Sequence, residues 1–100
     1  MAEAVLGARG ALGDLTAAGA LAELAFQSWR RRREIGEAGL DTLVARYGAE
    51  AVLAALDAAR PADRSTGIRM RHHAGEDVTE ALADPDRTVA QRAQDHRCTV

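Results

Sequence analysis

The chain reads as a mainly α protein, a small bundle of four to five helices with at most one short strand near residues 67–72. Three observations carry that reading. Alanine makes up 23 of the 100 residues, and alanine loses no side-chain entropy in a helix. Apolar residues recur at helical spacing through the first half of the chain. Glycine and proline stand where helices end and begin.

Residues 1–13 read as a flexible N-terminal arm interrupted by Gly7 and Gly10. From Asp14, a suitable N-cap, the pattern turns strongly helical. At 100° per residue, Leu15, Ala18, Ala22, Ala25, Phe26 and Trp29 share one face, with Glu23, Gln27, Arg30 and Arg31 opposite. The pattern predicts a first long helix over 14–35, ended by Gly36 and Gly39. A second short helix is expected over Leu40–Tyr47, stopped by Gly48. A third is expected over Ala49–Arg60, with Ala49, Val52, Leu53 and Leu56 as its buried stripe and Pro61 as its end. Residues 14–60 thus form the expected helical core.

The remaining segment, 61–100, divides into a loop, a short strand and polar C-terminal helices. Residues 61–67 read as the loop. Ile68 and Met70 alternate with Arg69 and Arg71, the period of an extended strand. Val78–Leu82 gives one or two helical turns. Asp84-Pro85 then predicts a helix start, aspartate as N-cap and proline at the first position. That last helix, through about His96, has few apolar anchors beyond Val89, Ala90 and Ala93, and is expected to fray or to order against a partner.

A chain of this length makes one domain with a modest core. Its large apolar residues are few, with one each of Phe, Trp and Tyr, and alanine buries little area. Close helix packing or core borrowed from another subunit is therefore expected. Thirteen arginines stand beside no lysine and no asparagine, a bias expected of a GC-rich, bacterial genome. The formal net charge is −2, which argues against a dedicated nucleic-acid binder. A single cysteine, Cys98, excludes an internal disulfide. The acidic start Met1-Ala2-Glu3 lacks the basic character of a signal peptide, and the apolar run Leu15–Phe26 is too short and too charged to span a bilayer. A cytoplasmic protein without a membrane span is expected.

The densest single-sign patch is Trp29-Arg30-Arg31-Arg32-Arg33. Arginine forks grip carboxylates or phosphates, and tryptophan anchors interfaces. The opposing reading puts Trp29 in the core and the arginines at a solvated helix C-terminus, where the dipole favours them. Two DNA-binding patterns are faint. Asp41–Ala58 resembles a helix pair turning at Gly48, but its second helix offers Glu50 and Asp57 to a phosphate backbone. Residues 68–97 loosely fit a strand followed by two helices, as in a dimeric ribbon reader presenting Arg69, Arg71 and His73. His72, His73, His96 and Cys98 are zinc-ligand types, but adjacent histidines on a strand point apart, and no CxxC or HxxxH spacing is present. No metal, cofactor or catalytic residue is expected. The reading is a non-enzymatic protein–protein interaction module (an adaptor, accessory subunit or inhibitor or immunity-type protein). It would dock or self-associate through Leu15, Phe26, Trp29, Arg30, Arg31, Arg32 and Arg33. The alternative is a small dimeric DNA-binding regulator.

Overall fold

The computed structural model describes Ala8 and residues 13–98, with residues 97 and 98 by backbone alone. Nearly all of the expected N-terminal arm, and the Cys98 side chain, lie outside the described residues. Among the described residues there are five α-helices and no strand. They are α1 (Ala18–Ala25), α2 (Arg30–Tyr47), α3 (Ala49–Ala54), α4 (Pro61–His73) and α5 (Arg87–Cys98), with 3-10 turns at Leu15–Ala17 and Thr79–Ala83. No helix among the described residues is long and apolar enough to cross a membrane. The fold is a small mainly α bundle, as the composition predicts.

Asp14 caps the first turn: its carboxylate accepts the Thr16 amide at 3.1 Å and the Thr16 hydroxyl at 2.6 Å. The single helix expected over 14–35 is instead two. The chain leaves its helical path at Phe26 and re-enters at Arg30, with Trp29 extended (φ −68°, ψ 116°) as the N-cap of α2. Residues 26–29 contain neither glycine nor proline, so nothing local announces the break. A distant residue stabilises it. The Arg92 guanidinium on α5 donates to the carbonyls of Ala25, Phe26 and Gln27 at 3.0, 2.9 and 3.2 Å. These are carbonyls that a helix end leaves without partners.

Gly36 and Gly39 do not end a helix; they lie in the middle of α2, both buried. There they let α2 pack directly on the α1 backbone. A Cβ on Gly36 would sit 2.6 Å from the Leu21 carbonyl oxygen and 2.9 Å from Leu24 Cβ, and one on Gly39 would sit 2.7 Å from Leu21 Cδ2. Leu40 and Leu43 continue the stripe to meet Ala17, Ala18 and Leu21 in the first core cluster. The apolar face of the first helical segment, read from sequence as needing a partner, is therefore covered within the chain except at Trp29.

Gly48 (φ 90°) turns the chain into α3, which is shorter than expected and buries Val52 alone from its predicted stripe. Leu56 is partly buried against the first core cluster, while Ala49 is exposed and Leu53 remains 37% exposed. Residues 61–67 are not a loop. Pro61 is the first residue of α4, with Arg60 extended before it (ψ 128°), as proline demands of its predecessor. Asp63, buried in that first turn, accepts the Asp57 amide at 2.7 Å and ties down the segment between α3 and α4.

The predicted strand is the body of α4. Ile68 and Met70 are buried in different places, Ile68 in a second cluster with Val78, Ala81, Val89 and Ala93, and Met70 in the first. Two residues apart on a helix is 200°, so a helix sandwiched between two cores imitates the alternation of a strand. The last helix starts two residues later than Asp84-Pro85 suggests. Asp86 receives the Thr88 and Val89 amides at 2.9 and 3.1 Å. Asp84 meanwhile pairs with Arg64 of α4 at 2.9 Å. Val89 and Ala93 are fully buried, which is what holds α5 on α4 despite its polar composition.

Candidate functional site

The residues expected to bind a partner separate into three groups. Leu15 and Phe26 are partly buried against the two core clusters, and the Arg92 guanidinium lies 5.5 Å above the Phe26 ring. Their contacts are internal. Trp29, Arg30 and Arg31 stand at the exposed corner between α1 and α2; Trp29 is 67% exposed. Arg32 and Arg33 are half-buried, and Arg33 turns into a polar cleft beside α4 and α5.

The corner is ordered by its own contacts. Arg32 Cζ lies 4.7 Å from the Trp29 ring centroid, a distance at which the indole face attracts the cation. Arg30 pairs with Glu34 one turn along at 2.9 Å. The reading that placed the four arginines at a helix C-terminus is reversed, because they form the first turn of α2. The N-terminal end of a helix is its positive end, and each exposed cation there is disfavoured by about 0.3–1 kcal/mol. The corner therefore concentrates positive charge against the helix dipole, beside a large apolar ring that the fold leaves exposed.

The DNA-reading patterns have no structural counterpart that strengthens them. α3 spans Ala49–Ala54 and its charged residue is Glu50, so it offers no donor side chain to a base edge. Arg69, Arg71 and His73 lie on helix α4, not on a ribbon. Arg69 is held by Glu37 at 3.4 Å and Asp41 at 3.0 Å.

The histidines do come together, across α4 and α5. His72 and His96 stack with ring centroids 5.3 Å apart, and His73 meets His72 edge-on at 6.2 Å. Sequence reasoning put His72 and His73 on a strand and His96 at the end of the last helix, and missed the stack. Among the described residues no three His, Cys, Asp or Glu groups form a metal-ligand set. Burial lowers the proton affinity of His96, and the positive neighbours His72, Arg69 and His73 lower it further, with Asp95 opposing. A lowered folded-state value means that the unfolded chain takes up the proton first. Stability is therefore expected to be full above about pH 6.5 and to fall as the pH drops from there towards the lowered value. Chemical denaturation of the wild type and of His96→Gln between pH 7 and 5 checks this. The variant should lose that part of the slope, and an unchanged slope would exclude His96 as its source.

Comparison with protein-family models, with characterised proteins and with solved structures finds no match to this chain.

Proposed function

We propose that the protein is a non-enzymatic, cytoplasmic interaction module of a bacterium that docks an acidic partner protein through the Trp29–Arg30–Arg31 corner. The single observation that carries this is the exposed Trp29, 67% open to solvent, braced by Arg32 and flanked by cations that the helix dipole disfavours. Tryptophan and arginine are the residues that most often dominate binding energy at protein interfaces. A second copy using the same patch would bring Arg30 and Arg31 against their own counterparts, so charge complementarity favours an acidic partner over self-pairing at this corner. The absence of lysine from an arginine-rich chain supports the bacterial setting.

Trp29 is the sole tryptophan, so its fluorescence reports the corner directly. Trp29→Ala is expected to change folding stability by no more than about 0.5 kcal/mol, as exposed substitutions do. It should also weaken a stoichiometric protein complex recovered from source cells by roughly 2 kcal/mol or more. Arg30→Glu should weaken the same complex. Recovery that Trp29→Ala leaves unchanged would sink the proposal, and recovery that nuclease abolishes would favour the DNA-binding alternative.

A further inference from the structure

A cleft of about 300 Å³ opens where the end of α1 meets α2, α4 and α5. Its donors come from three helices: Arg33 on α2, Ser65, Thr66 and Arg69 on α4, and Arg92 on α5. We propose that this cleft binds a phosphoryl group, as inorganic phosphate or a small phosphate monoester.

Two guanidinium groups without an ion-pair partner are the first ground. Arg69 is neutralised by Glu37 and Asp41. Arg92 is not: its bonds go to three neutral carbonyls. Arg33 makes no ion pair among the described residues. The remaining carboxylate, Asp95, is exposed at the rim and accepts from Gln91 at 3.0 Å. Burial and the nearby charge of Arg33 lower the proton affinity of Arg92, with Glu37 and Asp95 opposing.

The buried hydroxyls are the second, independent ground. Ser65 is 7% exposed and Thr66 4% exposed, yet neither side chain makes a hydrogen bond among the described residues. A hydroxyl inside a helix ordinarily bonds back to a carbonyl one turn earlier, as Thr42 does to Ala38 at 3.0 Å. Neither hydroxyl oxygen is sealed from solvent; both residues line the cleft, where a ligand oxygen can take the place of water. Two arginines and two hydroxyls offer donors from several directions. A tetrahedral phosphoryl group, with three terminal oxygens, can accept from all of them, whereas a planar carboxylate cannot. The volume lies at the small end of ligand pockets, which suits phosphate with a few carbons.

The test is titration of the full chain with inorganic phosphate and with glycerol phosphate at constant ionic strength, followed by amide chemical shifts. The expected result is saturable binding with shifts centred on Ser65, Thr66 and Arg92. Arg33→Gln should weaken it by at least about tenfold, while Arg87→Gln, an equal charge change on an exposed part of α5, should leave it unchanged. Thr66→Val guards against misfolding as an explanation. It replaces a hydroxyl without a partner by a methyl, so the ligand-free protein should be as stable as the wild type or more so, while phosphate binding falls. Three results would overturn the proposal. These are no saturable response, an equal effect of Arg33→Gln and Arg87→Gln, or acetate binding as tightly as phosphate.

Discussion

Gly36→Ala is expected to destabilise the protein by about 2–3 kcal/mol, although alanine is the better helix former. In an exposed helix the exchange would gain about 1 kcal/mol. Here the added Cβ would stand 2.6 Å from the Leu21 carbonyl oxygen, part of a backbone that cannot swing aside, so α1 and α2 must separate along the contact. Overpacking of this kind costs roughly 1–3 kcal/mol and sometimes more, and separation also loosens Leu21, Leu40 and Leu43, which are all fully buried. For a domain of this size the melting temperature should fall by roughly 10–15 °C. Gly67→Ala provides the opposite sign within the same protein. Gly67 is also inside a helix, but its Cβ would meet Leu53 Cδ2 at 3.5 Å, an ordinary contact, so a gain of about 0.5–1 kcal/mol is expected. Thermal denaturation of both variants decides the matter, and a stable Gly36→Ala would show that the α1–α2 spacing is not set at this glycine.

Arg92→Met should cost about 2–3 kcal/mol, since it keeps the apolar stem but leaves the carbonyls of residues 25–27 without their charged donor. The loss should be local first. Arg92 links α5 to the break between α1 and α2, so amide exchange should accelerate at residues 26–29 and along α5 before it does in α2. Arg92→Lys should rescue little. A guanidinium fork reaches three carbonyls at 3.0, 2.9 and 3.2 Å, whereas an ammonium is a compact point charge on a flexible stem. Exchange rates measured by nuclear magnetic resonance on both variants check this, and a lysine variant as protected as the wild type would show that charge alone closes the corner.

Proline placement separates what a local reading reaches from what it misses. Pro61 and Pro85 both follow residues that proline forces out of the helical region, and either could close one helix or open the next. Pro61 opens α4 because Asp63 reaches the Asp57 amide, a contact that exists once the chain has folded back. The Asp84 carboxylate accepts the Asp86 amide at 2.9 Å and also pairs with Arg64, twenty residues earlier on α4. The cap passes to Asp86. Neither competition is visible in a window of a few residues. The donors of the polar cleft were equally hidden, since Ser65, Thr66 and Arg69 read as loop and strand until α4 brings them beside Arg33 and Arg92.

The helical class followed from alanine content and apolar spacing, because both act within one or two turns and need no partner. So did the Asp14 cap, the turn at Gly48 and the separation of the Trp29–Arg33 patch from the apolar stripe as a cluster of unlike chemistry. Tertiary structure alone decided where that patch sits and which sign of helix dipole it meets. The reason is that the break before it is held by Arg92 from the far end of the chain, and the glycines after it are used for close approach instead of termination. Helix formation is local, but helix ends are settled by whichever distant donor or neighbour satisfies the leftover backbone groups. At the break between α1 and α2 that donor is Arg92, whose carbonyl targets lie 65 to 67 residues away.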